Sequence, residues 1–299
     1  MAIFGEVLTA MITPFDENGD VNVDEAIRLA RWLQANGNDG LVLTGTTGES
    51  STLTDDEKMM LWEAVSAAVT IPVVAGTGSN DTLHSVNLTR QASTLGVAGI
   101  LAVCPYYNRP SQAGISAHIS AMATATTLPV IVYDIPVRTG RKINTTTLLS
   151  LAADNANIRG VKDAAGNPAE TAVLMSRAPQ GFELYSGDDG LTLAFLAYGG
   201  VGVIGVATHW SGFDHKEMIT AFKKGNIATA IAINHRLVES FSFETGDEAP
   251  NPLPTKAMMQ LLGFNVGPAR LPMGAPPEFV FEKAKIVLDN LNRARAAAR

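Results

Sequence analysis

The sequence predicts an α/β fold, a (β/α)8 TIM barrel over residues 1–215 followed by a C-terminal helical region over residues 216–299. Three observations point there. Short, apolar, β-rich runs recur eight times, and an amphipathic segment follows nearly every one. Residues 1–215 show no linker or break in composition. Beyond Asp214 the strand–helix period stops and only helical patterns follow.

In chain order the strand runs are residues 7–15, 40–48, 72–79, 98–107, 129–136, 158–166, 182–190 and 201–209. Most are apolar nearly throughout and not alternating, the mark of parallel strands covered on their outer face. The helices expected between them are residues 24–36, 55–69, 81–95, 112–126, 145–153, 168–176 and 191–198. Asp24, Asp55 and Asp81 stand at helix starts, where a carboxylate can cap free backbone N–H groups. A doubly wound eight-stranded sheet competes, but the unbroken period favours closure into a barrel. After it come helices at 216–224, 227–243, 255–262 and 277–295, with a Pro-rich stretch at 249–254. This extension reads as a surface for packing or assembly.

Composition narrows the function classes. With 299 residues, 46% hydrophobic and 17% charged, the chain is globular and not intrinsically disordered. A net charge of −7 argues against a general nucleic-acid partner, which needs a basic surface. The single cysteine, Cys104, makes neither an intrachain disulfide nor a thiolate zinc site and suits a reducing, cytoplasmic setting. The N-terminus lacks the basic opening of a signal peptide. Residues 190–213 carry no charge and are long enough to span a bilayer. Gly199, Gly200, Gly202 and Gly205 interrupt them, so a buried helix turning into a buried strand is expected, not a membrane span.

Active sites of such barrels form at the C-terminal ends of the strands. That rim receives Thr46, Thr47 and Glu49 from the second run, Tyr106, Tyr107 and Arg109 from the fourth, and Tyr133 and Arg138 from the fifth. The sixth delivers Lys162 and Asp163, the seventh Gly187, Asp188 and Asp189, and the eighth Ile204. Of nine lysines, Lys162 alone follows an apolar strand; the others lie in helix or turn contexts that look solvated. A buried ammonium lowers its pKa or finds a partner. Lys162 is therefore either a Schiff-base nucleophile or a structural partner of Asp163 or another nearby carboxylate. Tyr107 and Tyr133 either pack or relay protons. Thr46 and Thr47, in a glycine-flanked loop, suit a small carboxylate or form an ordinary turn.

Two patterns are discounted. Gly200, Gly202 and Gly205 match a dinucleotide-binding spacing, but they enter a strand instead of opening a helix. His209 and His215 lack further ligands at metal-binding spacing and read as rim histidines, so no metal is expected.

Four motifs carry a resemblance that covers almost the whole chain. They are Gly45-Thr46-Thr47-Gly48-Glu49-Ser50, Pro105-Tyr106-Tyr107-Asn108-Arg109-Pro110-Ser111-Gln112, Tyr133-Asp134-Ile135-Pro136-Val137-Arg138-Thr139-Gly140 and Gly160-Val161-Lys162-Asp163. The chain resembles the class I, pyruvate-dependent aldolase and lyase superfamily that includes the dihydrodipicolinate synthases and the N-acetylneuraminate lyases. The resemblance implies that Lys162 condenses with pyruvate as a Schiff base, with no other cofactor, and that the resulting enamine attacks L-aspartate 4-semialdehyde. The product would be 4-hydroxy-tetrahydrodipicolinate, on the way to lysine and diaminopimelate. Tyr133, Thr46 and Tyr107 would relay protons, with Tyr107 reaching into a neighbouring subunit of a homotetramer built as a dimer of dimers. Thr47 would hold the pyruvate carboxylate, Gly187 and Ile204 would line that pocket, and Arg138 would bind the aldehyde's carboxylate.

Arg138 in Arg-Thr-Gly and the Tyr106-Tyr107 pair look like the synthases. Asp134, Val137 and Asp163 depart from their usual pattern without removing a catalytic group. A lyase for N-acetylneuraminate or a 2-keto-3-deoxy sugar acid is the alternative within the superfamily. Outside it stand an NAD-dependent oxidoreductase and a non-catalytic binding barrel. In lysine-inhibited relatives an allosteric site binds L-lysine, and the matching positions are Ser50, Ser51, Asp55, Lys58, Asn80, His84 and Tyr106. Here His84 replaces a carboxylate expected to meet the effector's ammonium, and cationic Lys58 stands where a histidine is usual. Weak or absent feedback is the expectation.

Overall fold

A computed structural model describes residues 2–298. Eight strands alternate with helices: β1 Val7–Ala10, α1 Val23–Ala35, β2 Gly40–Leu43, α2 Asp55–Ala68, β3 Val73–Gly76, α3 Thr82–Ala92, β4 Gly99–Val103 and α4 Gln112–Thr124. The period continues with β5 Val130–Asp134, the short α5 Pro136–Thr139, α6 Thr145–Asp154, β6 Ile158–Asp163, α7 Pro168–Met175, β7 Glu183–Ser186, α8 Thr192–Ala197 and β8 Gly202–Gly205. The remaining helices are α9 Thr208–Lys223, α10 Ile227–Phe243, α11 Leu253–Leu261 and α12 Glu278–Ala297.

The strands pair in parallel in sequence order, and β1 closes onto β8 through Val7↔Val203 and Leu8↔Ile204. The barrel is thus closed, as the strand–helix period requires. Side chains alternate along each strand. Leu8, Val42, Val74, Leu101, Ile131, Tyr133, Tyr185 and Ile204 point inward and fill the interior. The outward set packs against the helices in a larger shell that includes Leu29, Leu33, Trp62, Ile119 and Leu184.

The strands are shorter than the apolar runs that announce them. Residues 11–15 continue the first run, yet they form a buried loop after β1. Burial of that loop, not strand pairing, explains its apolar composition. Helix starts also differ in detail. Asn22 and Thr54 cap α1 and α2, with Asp24 and Asp55 inside the first turn, whereas Asp81 does cap α3.

The helix expected over 216–224 begins eight residues earlier, and α9 runs across the 215/216 division. Its first turns are buried nearly all round (Thr208, His209, Trp210, Ser211, Gly212, Asp214 and His215), so no amphipathic stripe marks them in the sequence. The uncharged 190–213 segment forms α8, β8 and the start of α9, and no helix among the described residues is long and apolar enough to cross a membrane. Beside the barrel, α9 to α12 share a core of Trp210, Met218, Leu237, Met258 and Leu291.

Candidate active site

Parallel register sets Tyr133 of β5 beside Lys162 of β6, and Lys162 beside Tyr185 of β7. Lys162 Nζ lies 4.4 Å from the centroid of the Tyr133 ring. The lysine is buried, and among the described residues it enters no ion pair or hydrogen bond. Burial lowers its pKa to about 8; Asp189 and Glu244 oppose that shift and Arg138 adds to it. A usable fraction of neutral amine therefore exists near neutral pH. Of the structural partners considered for it, Asp163 is excluded. Asp163, the next residue along the strand, faces the other way and accepts from Thr171 Oγ1 at 2.6 Å and Ala165 N at 2.9 Å.

Beside Tyr133 opens a cavity of about 320 Å³, lined by Thr46, Ser50, Ser51, Tyr106, Tyr133 and Arg138 among others. Burial pushes the Tyr133 phenol up to about 12, opposed by a hydrogen bond with Thr46 and by the charge of Arg138. It is thus a proton donor at neutral pH, standing between an amine and a hydroxyl. Arg138, exposed on α5, sets a permanent positive charge at the mouth. Tyr107 reaches the cavity wall yet is 88% exposed. Ile204 is fully buried in the barrel interior. Gly187 abuts the lysine stem, and a Cβ there would stand 3.0 Å from Lys162 Cγ and 2.9 Å from Ala164 Cβ. Its lack of a side chain makes room for the lysine arm.

The loop after β2 is held in a strained form. Thr44 and Glu49 have φ of 54° and 57°, and Tyr107 and Arg109 on the loop after β4 have 70° and 48°. Such conformations persist only where surroundings enforce them. Thr44 Oγ1 accepts from Trp62 Nε1 at 2.9 Å and donates to Leu43 O at 2.7 Å. Glu49 meets Lys256 Nζ at 2.9 Å and accepts from the Arg270 amide at 2.8 Å. Asn251 Nδ2 donates to Thr47 Oγ1 at 2.9 Å, and Arg138 Nη2 donates to the Asn251 carbonyl at 3.5 Å. So the helical extension reaches into the site and orients two of its side chains. Sequence reasoning missed Asn251, whose only signal was its place in the Pro-rich stretch.

Two sequence expectations need correction. Lys256 is not solvated but completely buried, and Lys58 is buried as well. Lys256 lies on a short helix whose residues Leu253–Met259 are all buried, so periodicity gave no warning. His209 and His215, read as rim histidines, follow the end of β8 but are fully buried and not open to solvent. Burial pulls His209 down to about 4, and its Nε2 accepts from the Ile12 amide at 3.2 Å.

Of the positions matched to an effector site, Asp55, Lys58 and His84 come together. His84 Nε2 lies 2.8 Å and Lys58 Nζ 3.4 Å from the Asp55 carboxylate. Ser50, Ser51 and Tyr106 line the cavity just described, and the Asn80 carbonyl accepts from Asn108 Nδ2 at 2.9 Å. Among the described residues no three His, Cys, Asp or Glu side chains are grouped to hold a metal.

A family model described as the dihydrodipicolinate synthetase family matches residues 3–287. The chain belongs to that family. It is 46% identical over 288 residues to the 4-hydroxy-tetrahydrodipicolinate synthase of Moorella thermoacetica, covering 95% of this chain and 96% of the relative. It is 44% identical over 276 residues to the enzyme of the same name from Bacillus subtilis, covering 90% and 93%. Among solved structures, the family member from Cyanidioschyzon merolae, determined with lysine bound, superposes with a TM-score of 0.95 at 39% identity, over 98% of this chain and 99% of that one. These relatives are named as synthases, which favours that reaction over a sugar-acid lyase.

Proposed function

We propose that this chain condenses pyruvate with L-aspartate 4-semialdehyde to give 4-hydroxy-tetrahydrodipicolinate, with Lys162 as the Schiff-base nucleophile. The observation that carries this is Lys162 itself: a buried, unpaired amine against the ring of Tyr133, which lines a cavity together with Arg138. The amine attacks the ketone of pyruvate. Tyr133, with Thr46 and a Tyr107 supplied by a second subunit, passes the protons that carbinolamine formation and dehydration need. Thr47 receives the pyruvate carboxylate, Gly187 and Ile204 shape its pocket, and Arg138 binds the carboxylate of the aldehyde. No other cofactor is required for this chemistry, because the imine is itself the electron sink.

The high exposure of Tyr107 supports an assembly in which a neighbour covers it, and we assign a homotetramer acting in the cytoplasm. Neither nucleic acid nor a membrane has a place in this scheme. The test is borohydride trapping with pyruvate followed by peptide mass spectrometry. A reduced pyruvyl adduct on Lys162 is expected; folded protein left unmodified at saturating pyruvate would overturn the reading.

Feedback by L-lysine should be weak. With Asp55 engaged by both His84 and Lys58, an effector ammonium meets two basic side chains and a carboxylate already in use. Half-inhibition at sub-millimolar lysine would contradict this.

A further inference from the structure

At the turn between β8 and α9 lies a buried acidic pair whose charge acts on Lys162 and which the scheme above leaves without a role. Asp189 follows β7, and Glu244 caps the C-terminal end of α10. They occupy adjacent amides of the turn between β8 and α9: Val206 N donates to Asp189 Oδ2 at 2.9 Å and Ala207 N to Glu244 Oε2 at 2.8 Å. These amides open α9, so the helix dipole favours negative charge there. The Cβ of any residue but glycine at 205 would strike the Asp189 carboxylate, so β8 is shaped to admit it.

Other groups bound the cluster. From α9, His215 places Nε2 at 3.4 Å from Asp189 Oδ1, and both atoms are otherwise without a hydrogen-bond partner. Its Nδ1 lies 3.0 Å from the Ser211 carbonyl, an acceptor only, so Nδ1 carries a proton. From the loop after β7, Asp188 adds a further negative charge acting on Glu244. From β6 comes Lys162, on which Arg138 acts from beyond β5. Two full carboxylate charges side by side in this interior are disfavoured, so one carboxyl keeps its proton. Burial, reinforced by Asp189, raises Glu244 well above the carboxylate range, whereas Asp189 stays below it despite its own burial, through His215 and Lys162.

We propose that Asp189 and Glu244 are positioning residues for the Schiff-base chemistry, sharing one proton so that a single buried negative charge backs Lys162. The inference rests on the reading of Lys162 given above. Condensation turns the resting ammonium and a ketone into an iminium and water. The N–C bond forms, the carbinolamine hydroxyl departs as water with one proton, and nitrogen ends with the same single positive charge with which it began. A fixed anion behind it stabilises both end states and sets the pH at which the neutral amine appears. Glu244 donates its proton toward Asp189, keeping the pair from carrying a second charge that would hold the lysine fully protonated.

The experiment is the pH profile of kcat/KM for pyruvate, alongside borohydride trapping, for the wild type, Asp189→Asn and Glu244→Gln. Removing the anion should move the acid limb of Asp189→Asn to lower pH by about one unit or more. Glu244→Gln, which mimics the protonated acid, should leave that limb in place. A merely structural role would lower activity in both variants without moving the limb, and that result overturns the proposal. So does a limb that moves equally in both. Infrared spectroscopy needs no variant. The wild type should show a protonated carboxyl C=O band at pH 8 that shifts on carboxyl-13C glutamate labelling, and its lack would also overturn proton sharing. Failure of the wild type to trap pyruvate would instead overturn the Schiff-base reading and with it the positioning role, while the infrared band still decides the proton.

Discussion

Lys162 and Lys256 are both buried ammonium groups seated against an aromatic ring, 4.4 Å from Tyr133 and 4.3 Å from Phe15. Burial lowers both to about 8. They differ in their partners. Lys256 is closed in by Glu49 at 2.9 Å, by the Pro268 carbonyl at 2.9 Å and by the Val266 carbonyl at 3.4 Å. Lys162 has none of these and stands instead against Tyr133, which lines a cavity. A depressed pKa in itself therefore does not mark a nucleophile. What separates the two is whether the N–H donors are already used. One lysine bolts the extension to the loop after β2; the other keeps its N–H donors unused, as the proposed nucleophile needs.

The largest effect that bears on this contrast is loss of each amine. Lys162→Met should lower kcat by about a thousandfold or more, abolish pyruvate trapping and leave the fold intact. Lys256→Met should still be trapped by pyruvate but lose about 3–5 kcal/mol in denaturant unfolding, because Glu49 is then buried without its partner. If Lys256→Met also lost trapping, the division into one reactive and one structural lysine would fail.

Asn251 sharpens the contrast, since it lies five residues before Lys256 and touches the site directly. Removing its hydrogen bond to Thr47 in Asn251→Ala should cost about 1 kcal/mol, seen as a roughly fivefold rise in KM for pyruvate with little change in kcat. Lys256→Met should show the same direction of change, because the bolt and Asn251 belong to one connected piece. An unchanged KM in Asn251→Ala would disconnect the extension from carboxylate binding.

The smallest expected effect concerns pH and stability. Each lysine binds its proton less tightly in the folded chain, at about 8 against an ordinary 10.5. Between those values the unfolded chain holds more protons, so these two groups make stability rise with pH there. The burden of burying the ammonium is fully present below about pH 8 and is relieved as pH rises. Lys162→Met should accordingly be more stable than the wild type at pH 7.5, by a margin that narrows by pH 9.5. Paired denaturant titrations at the two pH values check this, and a margin that widens would contradict it.

The barrel was legible in the sequence because closure needs only repetition: eight apolar runs at helix-length spacing leave few other solutions. Strand lengths were not legible, since a buried loop such as residues 11–15 is as apolar as a strand. Tyr133, Lys162 and Arg138 could be read from their positions after successive runs, because parallel register lays strand ends on one rim. The side on which each faces follows from the two-residue period, and it separates Lys162 from Asp163.

Pairing was decided only in three dimensions. Lys256 with Glu49, Asn251 with Thr47 and Asp189 with Glu244 join residues far apart along the chain, and nothing in local composition announces which polar group will be sealed from water. Burial sets the energy of a charge, and burial at these points is created by packing the helical extension against the barrel. The sequence by itself therefore determined the scaffold and the placing of Tyr133, Lys162 and Arg138 at its strand ends. The tertiary structure decided which lysine was consumed as a bolt and which was left with its donors unused.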